Sequence, residues 1–241
     1  MKIIRCKNYE EMSLEAAKIV EAVVAEKANA VLGFATGSTP EGLYAQLAAD
    51  NKAGKVDFSK TITVNLDEYC GLAPEHPQSY RYFMNDKLFN HINIDMANTH
   101  LPQGKAADLH AEAARYEKEV AALGYADLQV LGVGHNGHIG FNEPDAKLVV
   151  DTHVTDLTED TIDANSRFFN SADEVPKQAL TMGIGTIMHA KKIILLASGE
   201  NKRDAIATLF NGSIDPMSPV TVLNLHQDVT LLCDDAAWPN C

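Results

Sequence analysis

Short apolar runs alternate with stretches of helical period along most of this chain, and that alternation admits few folds. Lys2–Arg5, Ala30–Ala35, Thr61–Leu66, Leu128–Val133, Ile193–Ala197 and Val229–Cys233 read as strands. Between them, Tyr9–Lys27 carries apolar residues at helical spacing (Ala16, Ile19, Val20, Val23, Val24). Pro40–Ala49, Ser79–His91, Ala106–Leu123 and Asn201–Phe210 also read as helices. Strands alternating with helices predict an α/β fold, an open, mostly parallel sheet with helices on both faces. No Pro-, Gly- or Ser-rich linker and no charge run divides the 241 residues, so one domain, 1–241, is expected. The stretch from about 145 to 176 is polar and less regular, and is expected to act as a lid over the carboxyl edge of the sheet.

Composition narrows the partners. Hydrophobic residues make up 46% of the chain, ample for a core, and the formal net charge is −13. That charge argues against nucleic acid or an anionic membrane as partner. It leaves room for an anionic small molecule held by a few local cations and backbone N–H groups. The chain opens in a strand-like run without a signal peptide, and no apolar stretch approaches bilayer-spanning length. Cys6, Cys70, Cys233 and Cys241 are scattered, which predicts free thiols in the cytoplasm. The histidines are dispersed and HNGH lacks the HExxH register, so no metal site is expected.

Three motifs can carry chemistry. GVGHNGHIGFNEP, 132–144, follows the buried-strand run at Leu128, where an open α/β sheet has the mouth of its site. Its glycines at 132, 134 and 137 let backbone approach a ligand, and His138 with Glu143 five residues on is a proton-transfer pair. Glu143 or Asn136 can fix the tautomer of His138. NLDEYCGL, 65–72, puts Asp67 and Glu68 at the end of a strand, pointing to opposite sides, so one of them faces the cleft. A carboxylate there can take a proton from carbon next to a carbonyl or imine. FATGSTP, 34–40, ends a strand and opens a helix; Gly37, Ser38 and Thr39 form either an anion cradle or a simple helix cap. It lacks the lysine of a P-loop. Arg167 in NSRFF and Lys202 in SGENK suit a phosphate, or else serve solubility alone.

Together, TGSTP, LDEYCGL with HPQSY after it, GVGHNGHIGFNEP, NSRFF and SGENK resemble the glucosamine-6-phosphate deaminases, in order and spacing, over essentially the whole chain. The resemblance implies a Rossmann-like fold of the deaminase/phosphogluconolactonase type. It implies conversion of D-glucosamine 6-phosphate and water to D-fructose 6-phosphate and ammonia, in amino-sugar catabolism, with no metal or organic cofactor. By position, Asp67 is the base that moves the C2 proton to C1 through an enolamine, and His138 opens the pyranose ring with help from Glu143. Phosphate falls to the Gly37–Thr39 turn, Arg167 and Lys202.

Two departures stand out. Asn136 occupies a position where many members carry Asp as a partner of the histidine; its amide oxygen can accept from an imidazole N–H without adding charge. Ala146, His153 and Thr155 stand where a Ser, an Arg and a Lys bind the activator of the long members, and the sequence ends at Cys241, short of their C-terminal extension. The expectation is a monomer or weak homodimer without control by N-acetylglucosamine 6-phosphate. The competing readings are a 6-phosphogluconolactonase, which shares the fold but does no carbon-acid chemistry, and a sugar-phosphate sensor domain of a transcription regulator.

Overall fold

The structure, a computed structural model, describes residues 1–166, 169, 171 and 174–239. In chain order the strands are β1 (Lys2–Cys6), β2 (Val31–Phe34), β3 (Ile62–Asn65), β4 (Asp67–Tyr69), β5 (Thr99–His100), β6 (Leu128–Gly132), β7 (His153–Asp156), β8 (Gln178–Thr181), β9 (Ile193–Ala197) and β10 (Val229–Asp234). The helices are α1 (Tyr9–Glu26), α2 (Glu41–Lys52), α3 (Tyr80–Lys87), α4 (Leu109–Ala122), α5 (Glu159–Ser166), α6 (Ile184–Met188) and α7 (Arg203–Thr208).

Seven strands form one sheet in the order β1-β10-β9-β6-β2-β3-β5, and every neighbouring pair is parallel. From β2 the chain steps outward through β3 to β5; from β6 it steps the other way through β9 to β10. The reversal opens a crevice between the carboxyl ends of β2 and β6, where open α/β sheets bind ligands.

Side chains alternate across the strands, so the sheet feeds two cores. On one face Leu32, Phe34, Val130, Ile194 and Leu232 meet Met12, Ala16 and Val20 of α1 and Leu43 and Leu47 of α2. On the other, Val31, Val64, Leu131, Leu195 and Leu231 meet Tyr116 and Val120 of α4, Ile187 of α6 and Ile206 of α7. Each fully buried aliphatic side chain contributes ~1.5–3 kcal/mol relative to exposure. The helices start where capping side chains stand. Asn8 accepts from Glu11 N at 2.9 Å, and Asp108 from Ala111 N at 2.9 Å. The Asp108 cap is why α4 begins at Leu109 rather than at Ala106. The helix expected over Ser79–His91 ends at Lys87, because Leu88 leaves helical geometry before a separate 3-10 turn at Phe89–His91.

A second, three-stranded sheet, β4-β8-β7, is antiparallel throughout. It absorbs part of the segment at 145–176 that reads as irregular, which contributes β7 and α5. Its strands are short, and β7 (HVTD) has no apolar alternation to announce it. Among the described residues no helix is long and apolar enough to cross a membrane.

Candidate active site

The crevice at the switch point is a cleft of about 290 Å³. Its walls come from four strand ends: Thr36–Thr39 after β2, Leu66 and Asp67 after β3, Gly132–His135 and His138 after β6, and Lys202 after β9. Five separate sequence motifs thus supply one site once Tyr80 and Phe141 are added.

Asp67 opens β4 and faces the cleft, while Glu68 points the other way, as alternation on an extended chain requires. Burial, with the neighbouring charge of Glu68, pushes the Asp67 carboxyl up to about 8. Burial raises Glu68 as well, against the N–H groups that bond it. These are Tyr69 N at 2.9 Å, Tyr80 N at 2.8 Å and Arg81 N at 2.9 Å. The last two belong to the first turn of α3, so Glu68 serves the helix's unpaired donors and sets Tyr80 against the cleft. The small sheet holds Asp67 from the far side: Asp67 pairs with Thr181 of β8, and Met182 N donates to Leu66 O at 2.7 Å.

The 132–144 motif wraps around His138. Gly134 N donates to His138 O at 2.9 Å, closing a tight loop. A Cβ at Gly134 would fall 2.3–2.4 Å from the imidazole, so only glycine lets the ring lie over this backbone. Glu143 Oε1 stands 3.1 Å from His138 Nδ1, at ion-pair distance though off the line of a straight hydrogen bond. Asn136 donates from Nδ2 to Glu143 Oε2 at 2.7 Å, and its Oδ1 accepts from the backbone N of His138 at 3.2 Å. The amide oxygen expected to receive the imidazole N–H is therefore already engaged by the main chain, and Asn136 reaches the ring only through Glu143. Burial works against the Glu143 carboxylate, but His138, Asn136 and His135 outweigh it and hold that group below its ordinary range. Asn142 ties the loop down, donating to Ile139 O and Met182 O, both at 2.9 Å, while Phe141 N donates to Thr181 Oγ1 at 3.1 Å.

At the other wall, Gly37 has a φ of +92°, the left-handed turn that glycine tolerates. The helix that follows begins at Glu41 with Pro40 as its cap and takes no side-chain cap from Ser38 or Thr39. Tyr9 of α1 does that work: its hydroxyl accepts from Gly42 N at 2.7 Å and donates to Ser38 O at 3.0 Å. The hydroxyls of Ser38 and Thr39 are thus left to the cleft. Lys202 enters from the opposite side; burial pulls its ammonium below the ordinary lysine range, and it has no acceptor among the described residues. A half-buried cation facing a turn with open hydroxyls is an anion site. Arg167, expected here from the sequence, lies outside the described residues.

Tyr80, Phe141, His135 and Thr36 line the cleft without having been singled out. Tyr80 stacks on Phe141 with planes 2° apart and centroids 6.1 Å apart. HPQSY was part of the sequence pattern, but an aromatic at the start of a helix carries no chemical signature by itself. Among the described residues no grouping of His, Cys, Asp and Glu is arranged to hold a metal ion.

Known proteins resemble this chain along nearly its whole length. A model of the family glucosamine-6-phosphate isomerases/6-phosphogluconolactonase matches residues 7–232. A glucosamine-6-phosphate deaminase of Clostridium beijerinckii is 58% identical over 98% of this chain and 97% of its own length. Another, from a Thermoanaerobacter species, is 57% identical over 98% and 94%. A solved structure described as a monomeric glucosamine-6-phosphate deaminase superposes with a TM-score of 0.94 at 49% identity, covering 98% of each chain. The 6-phosphogluconolactonase of Thermotoga maritima shares the fold, with a TM-score of 0.75 at 20% identity over 97% of this chain and 98% of that one. The chain belongs to the glucosamine-6-phosphate isomerase/6-phosphogluconolactonase family.

Proposed function

We propose that this chain is a glucosamine-6-phosphate deaminase, converting D-glucosamine 6-phosphate and water to D-fructose 6-phosphate and ammonia. The observation that carries the reading is Asp67: a buried carboxyl in the cleft wall, separate from the His138–Glu143 pair, with its pKa raised to about 8. Lactone hydrolysis has no use for a carbon-acid base in addition to an imidazole, whereas isomerisation followed by deamination needs both. The relatives at 57–58% identity bear the deaminase name, while the lactonase likeness lies at 20% and concerns the fold.

In this reading the phosphate sits between Lys202 and the Gly37–Thr39 turn, with Arg167 as its third holder. His138, held by Glu143, moves a proton at the ring oxygen as the pyranose opens. Asp67 then takes the C2 proton, the double bond shifts to give an enolamine, and the proton returns at C1. Water adds to the resulting C2 imine and ammonia leaves. A basic carboxylate near neutral pH gives the proton transfer its driving force. Anchoring the remote phosphate directs binding energy toward the reacting end. Each step uses side chains alone, with no metal or organic cofactor.

The chain acts as one catalytic domain, and the segment at 145–176 covers the cleft. Leu157, Ile162 and Phe169 pack with Tyr69 and Phe141, which supports that placement. It works as a monomer, as the relative described as monomeric suggests. The test is ammonia release from glucosamine 6-phosphate, with N-acetylglucosamine 6-phosphate, glucose 6-phosphate and 6-phosphogluconolactone as comparisons. Ammonia and fructose 6-phosphate in equal amounts are expected from the first alone; lactone hydrolysis without ammonia would overturn the reading.

A further inference from the structure

We infer that Asp234, at the end of β10, is a positioning residue for the phosphate end of the cleft, acting through the turn that presents Lys202. This rests on the reading that Lys202 binds the substrate's phosphate. Asp234 is 5% exposed, and its carboxylate receives three different donors. Ser198 Oγ donates to Oδ2 at 2.5 Å, Gly199 N lies 3.1 and 3.2 Å from the two oxygens, and Ala237 N donates to Oδ1 at 2.8 Å.

These contacts bracket the element that carries Lys202. Gly199, at φ +92°, caps the 3-10 turn Glu200–Lys202, and Lys202 N donates back to Gly199 O at 3.1 Å. On the far side of the lysine, the guanidinium of Arg203 donates to Ala236 O at 2.9 Å. The turn 198–203 and the loop 234–237 are thus clasped at both ends, with Lys202 between the fasteners. Lys202 itself has no acceptor among the described residues, so its backbone is what fixes where the ammonium can reach. A long flexible lysine needs a fixed base to deliver its charge to one spot, because ordering a free stem costs entropy on binding. Asp234 touches none of the cleft and carries no reacting atom, so its influence belongs to binding rather than to chemistry.

The experiment compares D234N, K202A and the double variant on glucosamine 6-phosphate and on free glucosamine. Asn keeps the shape but turns one acceptor into an NH2 that faces an N–H. KM for the phosphorylated substrate is expected to rise about tenfold in D234N, as for loss of a charge-assisted bond, with kcat within about twofold. On free glucosamine kcat/KM should be nearly unchanged, and the double variant should be no worse than K202A alone. An equal penalty on both substrates, or penalties that add in the double variant, would overturn the proposal. A phosphate-selective K202A beside an unselective D234N overturns the proposal alone; an unselective K202A sinks the phosphate reading together with it. Should D234N fail to fold, S198A removes a single donor and carries the same comparison. A two- to threefold rise in KM, confined to the phosphorylated substrate, supports the proposal, and no change overturns it.

Discussion

Asp67 sets a tension between stability and function at a single residue. Its carboxyl ionises at about 8 in the folded protein and at about 4 in the unfolded chain. Between those values the folded state holds a proton that the unfolded state has released, so this group makes stability fall as pH rises. Asp67→Asn should therefore melt near the wild-type temperature at pH 4 and above it at pH 8, by about 5 °C or more for a shift worth several kcal/mol. Its kcat should fall ~10²–10⁴-fold, because an amide cannot accept the carbon-bound proton. Calorimetry across that range and an ammonia assay check the two halves. In the wild type, kcat/KM should climb with pH toward 8 as the free enzyme's base ionises. Glu68→Gln removes the adjacent charge, so that limb should move to lower pH; a limb that stays in place would show that burial alone sets it. Asn136→Asp would put a carboxylate 2.7 Å from Glu143 Oε2, where Nδ2 now donates. Two carboxylates that close share a proton, so kcat/KM should gain an additional acid-side limb. That Asp67 and His138 share one cleft, with Glu143 beside the imidazole, was legible in the sequence because each stands in a motif at the end of a strand. The true partner of Asn136 was not, since which way an amide points depends on packing within the loop.

At the scale of elements, the parallel sheet was legible because its strands are apolar and bounded by turns, and the residues that line the cleft lie where those strands end. The small sheet was not. Asp67–Tyr69 reads as the start of a loop, and only pairing with Thr181 and its neighbours makes it a strand. That pairing positions two things at once, since Thr181 also accepts from Phe141 N and a Cβ at Gly140 would stand 3.0 Å from its hydroxyl. Thr181→Val leaves a buried N–H unpaired and should cost ~1–3 kcal/mol, read as a lower denaturation midpoint. Gly134→Ala should spare the fold yet cut kcat by ~10²-fold or more, because the added methyl occupies the seat of the His138 ring. Near-native turnover in that variant would mean the imidazole works from another position. The role of Asp234 escaped the sequence for a similar reason: an acid at the end of a late strand reads as a solvated terminus until the 198–199 turn is folded against it.

For the molecule as a whole, the described walls of the cleft all come from one chain, which suits a monomer. Initial rates should follow a hyperbola in substrate concentration, unchanged by N-acetylglucosamine 6-phosphate apart from competition, with light scattering giving the mass of a single chain. A sigmoid curve that this ligand straightens would overturn that expectation, because cooperativity needs coupled sites. The order of the large sheet also bears on how the protein is made. Strand β10, last in chain order, lies between β1 and β9, and Leu232 on it packs against Met12, Ala16 and Val20 of α1. Strand β1 thus finds its one neighbour in the large sheet more than 220 residues further along the chain, and it stays unpaired until β10 has emerged, while α1 can already pack on α2. A nascent chain stalled before residue 229 should be cut by protease within β1, and should become resistant there once 234 is free of the tunnel.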